Sequence, residues 1–447
     1  MEQIEETGMS RRKFLQGCTA TAVTAVAGSF FSGCAIDPVT GKNQLMLMSR
    51  DQEISLDKQH SPFQFSSDYG VAQDTGLNSY VSGVGNAMLP NVHRSDMPYN
   101  FQVVNASYIN AYAFPGGSIA ATRGILLELD NEAELASLLG HELGHVNARH
   151  TAEQQSKGQL SSILVAGLSA VAQTQGEGMG ELTQKLGSLG QGLFLSKYSR
   201  DNEREADALG HQYMTQSGYN SKGFTGLMEM LNAMNTAQPS TTQMLFATHP
   251  MSRERLDAAM DRDSTTYKNT HTRDLNRDRY MDHTAGLRAI KPMIAKLQAA
   301  DAYLAKEQYD KAETEFMSAL KFKDNDYTAQ VMTAKCMLIR KKYQEAAHHA
   351  GLAKQLYPRE NQGYYISGLS NLQLKKPVQA HEDFTACDKM LPGNPQVTFY
   401  QGYALDMDHQ QEPAAQKYAD YIKAVNYASN QYTQHAYKRL KDWNYIK

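Results

Sequence analysis

The sequence predicts a mostly α protein of the α+β kind. A helical N-terminal body holding a small β-sheet is followed by an α-solenoid. Three observations carry this. The proline-free stretch Asn131 to Gly140, rich in Ala, Leu and Glu, runs into LLGHELGHVNARHTA at Leu138 to Ala152 and reads as one continuing helix. Just before it, two β-prone runs broken by Pro115-Gly116-Gly117 read as a hairpin. From about Leu297 onward, residues of the same size recur every 34 positions.

Composition sets the frame. A chain of 447 residues with 41% hydrophobic and 20% charged residues is ordinary for a globular protein of two or three domains. A net charge of −3 gives no reason to expect a nucleic-acid partner. Of the four cysteines, Cys18 and Cys34 lie near the N-terminus, and Cys336 and Cys387 stand far apart. No disulfide framework follows, and the latter two read as small buried hydrophobes.

The first 33 residues read as an address. Ser10 to Gln16, SRRKFLQ, has the form of a twin-arginine export signal. The apolar run from Cys18 to Phe31 suits a signal-peptide core and is short for a membrane span. Phe31-Ser32-Gly33-Cys34 resembles a lipobox, with Phe31 where Leu is usual, and makes Cys34 the expected lipid acceptor. Ala35, rather than Asp, follows it, which is the outer-membrane pattern. The expected location is the periplasm, at the outer membrane. No later stretch reaches the ~18 apolar residues of a spanning helix.

Between Ala35 and Asn105, Asp37 to Gly41 is turn chemistry and Ser49 or Asp51 can cap a helix. Tyr80 to Leu89 reads as a helix face and Tyr99 to Val104 as a strand. Tyr108 to Phe114 and Ser118 to Thr122 form the expected hairpin. Its segment Asn110, Ala111, Tyr112 and Ala113 is the expected edge to which a substrate chain adds as a strand. The competing reading is an ordinary core hairpin.

The chemistry centres on His141, Glu142 and His145, an HExxH string. Positions i and i+4 share a helix face, so both imidazoles reach one metal ion. Glu142 then lies beside the attacking water and takes its proton. Such strings also arise by chance, so a third ligand matters. Glu203 and Asp207, in YSRDNEREADA from Tyr198 to Ala208, share a face of a second helix. Glu203 supplies the anionic ligand of a His₂Glu site, and Asp207 supports it. The bland alternative is a solvated charged face, with Glu205 pointing elsewhere. His150 is rejected as a ligand, because about 140° of helical turn separates it from His145. Gly144 costs up to ~1 kcal/mol in a helix, which close approach of another backbone or of substrate would justify. Between the two motifs, Ser156 to Lys197 reads as two apolar-faced helices around a Gly-rich joint: a packed hairpin, or else a mobile lid or a membrane-leaning surface.

HELGH at His141 to His145, EREAD at Glu203 to Asp207 and NAYAFPGG from Asn110 resemble the zinc endopeptidases of the CAAX-prenyl-protease and HtpX family over roughly Cys34 to Thr270. The resemblance implies one zinc ion, Glu203 as its third ligand, Glu142 as catalytic base and Asp207 as a supporting or proton-donating residue. It also implies a mostly helical peptidase with a small sheet. Thr248-His249-Pro250, followed by Arg253 and Arg255, is similar to the family's His-Pro element. His249 is accordingly expected near the zinc, as a transition-state donor or as a fourth ligand that latches the site. Its alternative is a loop histidine ahead of a proline-started helix.

In the C-terminal part, Ala312, Ala346, Ala380 and Ala414 are spaced by 34, as are Ala300, Ala334, Gly368 and Gly402. Phe316, Ala350, Phe384 and Tyr418 keep the same register, and so do Ala319, Ala353, Cys387 and Tyr421. This is the tetratricopeptide pattern, whose stacked helix pairs offer a concave protein-binding face. Lys438 to Lys447 reads as a terminal helix. The expected domains are a signal peptide at 1–33, a zinc metallopeptidase at 34–290 and tetratricopeptide repeats at 291–447. The pairing resembles envelope peptidases that clear misassembled outer-membrane proteins and have a chaperone-like role. A lipid-anchored zinc endopeptidase with unfolded envelope proteins as substrate is the expectation. A chaperone or scaffold with a latched or structural zinc is the alternative.

Overall fold

The computed structural model describes residues 34–36, 38–39, 41, 43–156, 197–237 and 239–446. The leader at 1–33 and most of the insert expected between the two motifs lie outside these residues, and of Cys34 only the backbone is described.

The chain opens with a small hairpin, β1 (Cys34–Ile36) and β2 (Asn43–Leu45). Helix α1 (Arg50–Ser67) follows, capped by Ser49, whose hydroxyl accepts from the Gln52 N–H while the Gln52 side chain returns to the Ser49 N–H. Helix α2 (Thr75–Met88) is capped by Asp74 and buries Leu77, Val81, Val84 and Met88. Strands β3 (Asn100–Val104), β4 (Ala111–Ala113) and β5 (Ser118–Thr122) form one sheet in the order β3-β5-β4. The expected hairpin is β4–β5, antiparallel, with Tyr112 opposite Ala120. Its turn closes through Phe114 and Gly117, the latter at φ 109°, where glycine is favoured. β3 runs parallel to β5, so β4 is left at an edge.

A short helix α3 (Arg123–Leu126) leads to α4 (Glu132–Asn147), which carries the HExxH string. Asn131 caps it by accepting from the Glu134 N–H, and Glu132 and Glu134 suit the positive helix start. The helix does not continue to Ala152. It stops at Asn147, Arg149 adopts a left-handed φ of 58°, and a new helical stretch begins at His150. Beyond the insert come α5 (Arg200–Gln216), α6 (Lys222–Ala237), α7 (Gln243–Thr248), α8 (Arg253–Ser264) and α9 (Arg277–Ala289).

The approach of α4 to α5 positions the site. A Cβ on Gly144 would lie 2.8 Å from the Ala206 carbonyl oxygen. One on Gly210 would lie 2.6 Å from the His141 nitrogen. Gly140, Gly144, Ala206 and Gly210 therefore let two backbones meet, which answers why a glycine sits inside the motif.

Four helix pairs follow: α10 (Lys291–Leu304) with α11 (Tyr309–Phe322), α12 (Tyr327–Ile339) with α13 (Tyr343–Leu356), α14 (Asn361–Gln373) with α15 (Pro377–Met390), and α16 (Pro395–Met407) with α17 (Gln411–Ala424). These are tetratricopeptide repeats. Ala312, Ala346, Ala380 and Ala414 are all fully buried between helices. The turn residues Glu307, Lys341, Lys375 and His409 all have positive φ and share the repeat's spacing. Cys336 and Cys387 are free and buried, as expected. The terminal helix α18 spans Gln431–Asp442, earlier than its expected start, because Asn430 caps it. Trp443 lies just past its end, under the Arg439 guanidinium.

The repeats dock on the N-terminal body through a buried polar joint. Glu360 accepts from the Ser66 and Tyr327 hydroxyls, and the Gln362 amide donates to the Ser66 carbonyl. Arg123 pairs with Asp326 at 2.8 Å. Gly70, at φ 77°, leaves room for the Glu360 and Tyr357 side chains.

Candidate metal centre

Helices α4 and α5 and the segment after α7 bring four donors together. His141 Nε2 and His145 Nε2 are 3.0 Å apart. Glu203 Oε1 lies 3.4 Å from His145 Nε2, and its Oε2 lies 3.7 Å from His141 Nε2. His249 Nδ1 is 3.0 Å from Glu203 Oε1 and 3.5 Å from His141 Nε2. All four side chains are buried, and one ligand atom from each lies within 4.8 Å of the others. Four donors at ~2.0–2.1 Å from a tetrahedral ion stand about 3.4 Å apart, so the set fits one divalent cation of the zinc type. Glu142 Oε2, buried and without a hydrogen-bond partner among the described residues, lies beside it. Its Oε1 is 3.9 Å from His249 Nε2.

The surrounding groups fix the donors. Asp207 Oδ1 is 3.0 Å from His141 Nδ1, which orients that ring. Arg255 donates to both Asp207 oxygens, at 2.7 and 2.8 Å, and reaches Glu203 Oε2 at 2.6 Å. Behind His145, its Nδ1 is 2.9 Å from His150 Nδ1, and His150 Nε2 is 3.2 Å from Glu205. The Tyr198 ring stacks on His145 at 3.7 Å.

Electrostatics follow from burial and these partners. Burial raises the Glu142 carboxyl above the ordinary range, which suits a group that must take up a proton. For Glu203, burial acts in the same direction, but His249 and Arg255 outweigh it and hold the carboxyl well below its usual value. Asp207 is likewise held down by Arg255 against its burial. Burial drives His145 well below the usual imidazole value, leaving the neutral form a metal needs. His249 is pushed down by burial and raised further by Glu203 and Glu142.

His141, His145, Glu203, His249 and Glu142 thus converge, with Asp207 one contact behind. Both Asp207 oxygens face Arg255 and His141, which is the supporting one of the two roles, supporting or proton-donating, that the resemblance implied. Two residues were missed. A continuous helix would turn His150 away from His145, but the left-handed turn at Arg149 brings it onto that ring. Glu205, expected to face elsewhere, ends that chain. The local sequence gives no sign of either, since Arg149 is not a glycine. Ala111 to Ala113 occupy the sheet edge, while Asn110 lies just before the strand, its carbonyl bonded to the Thr122 N–H.

The profile of peptidase family M48 matches residues 76–263. Metalloprotease LoiP of Escherichia coli K12 is 31% identical over 184 residues, covering 41% of this chain and 69% of LoiP. The chain belongs to peptidase family M48. The beta-barrel assembly-enhancing protease of Yersinia pestis is 32% identical over 231 residues, and that of E. coli K12 29% over 268. Those alignments cover 50% and 56% of this chain but 46% and 53% of the relatives, so the chain spans about half the length of these two. Among the described residues, no helix is long and apolar enough to cross a membrane. M48 membership and the four-donor cluster make the site a metal centre.

Proposed function

We propose that this M48 protein is a zinc metalloendopeptidase of envelope protein quality control that cleaves misfolded or misassembled outer-membrane proteins. The observation that carries it is the buried Glu142 carboxylate, one oxygen unpartnered, beside a four-donor metal set. His141, His145 and Glu203 hold the ion, and Asp207 and His150 hold the histidines in place. Zinc, when bound, supplies Lewis acidity toward the peptide carbonyl and the attacking water. Glu142 accepts the water's proton and passes it to the departing amine. Of the expected edge, Ala111 to Ala113 offer main-chain bonds to an extended substrate without reading its sequence, whereas both main-chain groups of Asn110 are already bonded to Thr122. The names of the two assembly-enhancing relatives support the substrate class. The twin-arginine leader and the lipobox at Cys34 support a periplasmic protein anchored at the outer membrane. The repeats supply a face for a protein partner, and a groove along them is lined by Phe399, Tyr400, Tyr403 and Tyr432.

A second reading is a scaffold or chaperone with a latched site. It is favoured by His249, which sits within the donor set rather than outside it. The test compares the purified chain with Glu142→Gln on an unfolded protein, with zinc content measured in both. Loss of ~10²- to 10⁴-fold in cleavage with zinc retained is the expected outcome. Zinc bound without cleavage by either form would favour the latched reading, to be tested by His249→Ala. A wild-type protein that takes up no zinc would sink the metal reading.

A further inference from the structure

Strand β4 is short and pairs with β5 through Ala111, Tyr112 and Ala113. So little pairing holds a strand weakly, and a substrate that adds to its free edge needs it fixed from elsewhere. Successive side chains of a strand face opposite ways. Ala113 borders the same small space as His145, on the side of the motif helix. Tyr112 turns the other way, and its ring lies 6.5 Å from that of Phe65 on α1. Its hydroxyl donates to Asp68 Oδ2 at 2.5 Å, and the Tyr108 hydroxyl donates to Asp68 Oδ1 at 2.7 Å. Asp68 is itself held. It is buried at the end of α1, where its N–H bonds the Gln64 and Ser66 carbonyls and Gln64 Nε2 donates to its carboxylate at 3.1 Å. Tyr69 and Gly70 follow with left-handed φ of 66° and 77°, and Asn105 Nδ2 donates to the Tyr69 carbonyl at 3.0 Å. From the repeats, Lys335 of α12 sits 4.7 Å from the centre of the Tyr69 ring. Lys335 is buried, and its charge bears on Asp301 and Asp68. A buried carboxylate is costly without a cation nearby, and here the repeats supply one.

We propose that Asp68 is a positioning residue for the substrate: through the Tyr112 and Tyr108 hydroxyls it fixes β4 beside His145, and Lys335 of the repeats keeps Asp68 in place. The inference rests on the endopeptidase reading above and on a substrate that adds to β4 as a strand. Asp68 touches neither the donors nor the reacting bond, so its effect falls on the binding of extended chains and leaves the chemical step alone.

The test uses the purified full chain, an internally quenched peptide spanning one cleavage site of β-casein, and copies of that peptide each N-methylated at one amide. Methylation removes the N–H that a substrate strand donates to the β4 carbonyls. In the wild type, it should raise KM ~10-fold at the amides that pair with β4, the scale of a lost hydrogen bond. In Asp68→Ala, KM of the unmethylated peptide should rise ~10-fold and the methylation penalty should shrink to ~2-fold or less, with kcat and zinc content unchanged. Tyr112→Phe keeps the ring and deletes one hydroxyl, so it should act in the same direction and decides the matter if Asp68→Ala does not fold. Lys335→Met should also raise KM and shrink the penalty. A methylation penalty of full size in Asp68→Ala and Tyr112→Phe, whatever happens to kcat or the thermal midpoint, means a merely structural role and overturns the proposal. A full penalty in Lys335→Met alone overturns the part given to the repeats. No penalty in the wild type overturns strand addition at β4 and leaves the endopeptidase reading standing. Absence of cleavage by every form counts against the endopeptidase reading instead. The edge is then decided by fluorescence anisotropy of the same peptides on Glu142→Gln. A methylation penalty in affinity that Asp68→Ala removes supports the proposal, and equal affinities or no binding overturn it.

Discussion

At the scale of single residues, the centre depends on groups that touch no ion themselves. Arg255 holds Asp207 by two hydrogen bonds and also reaches Glu203. Replacing the Asp207 carboxylate by an amide would free Arg255 to compete for Glu203 and leave the His141 ring only a neutral, weaker acceptor. Asp207→Asn should therefore weaken metal binding by ~10- to 100-fold, read by competition with a chelator. His150→Ala should act in the same direction through His145. Unchanged affinity in both variants would mean that the rings are held by packing alone. Sequence spacing pairs His141 with His145 and Glu203 with Asp207 because a helix face fixes neighbours at i and i+4. It did not find His150, whose position depends on one backbone dihedral at Arg149.

At the scale of elements, the two motif helices come together through small residues. Gly144→Ala would place a Cβ 2.8 Å from the Ala206 carbonyl oxygen, so the helices must part. Urea unfolding should show a loss of ~1–3 kcal/mol. Gly83, on α2, has nothing within 4 Å of its would-be Cβ. Gly83→Ala should instead stabilise by ~0.5–1 kcal/mol through helix propensity and lower chain entropy. A Gly144→Ala protein as stable as the wild type would show that the close approach is not needed. The hairpin and the repeat helices were legible because turn chemistry and a strict period are local signals. The end of α4 was not, because neither glycine nor proline marks the left-handed turn at Arg149 and helix-compatible residues follow it.

At the scale of the whole molecule, the repeats form part of the N-terminal body's support. The Tyr108 and Tyr112 hydroxyls donate to Asp68, at 2.7 and 2.5 Å. Asp68 lies next to Tyr69, whose ring faces Lys335 of the repeats at 4.7 Å. The edge strand is thus tied to the repeats through buried ionisable groups. Burial pushes Glu360 up to about 7 and, acting on a cation, pulls Lys335 down to about 8. Burial also raises Asp68 and Asp301. A raised carboxyl stabilises most below its ordinary value of 4.5, and that contribution is lost as pH rises through about 7. The lowered Lys335 works the other way, and stability returns as pH rises from about 8 toward 10.5. The contribution of this joint to stability should be lowest near pH 7–8, read as the difference in thermal midpoint between the wild type and Glu360→Gln. Glu360→Gln should flatten the acidic limb, which is worth on the order of 3 kcal/mol. A limb of equal slope in the variant would remove Glu360 from the account.

The sequence by itself marked the motif helices, the hairpin, the repeats and the motif residues of the proposed site. Helix faces, turn residues and a 34-residue period are set by neighbours in the chain. Tertiary structure decided that His249, for which the sequence left several roles open, lies within the donor set, that His150 backs His145, and that the repeats lock onto α1 near β4. These contacts join residues far apart in the chain or turn on one left-handed dihedral. They exist only once backbones have packed at Gly140, Gly144 and Gly210 and at the Gly70 joint.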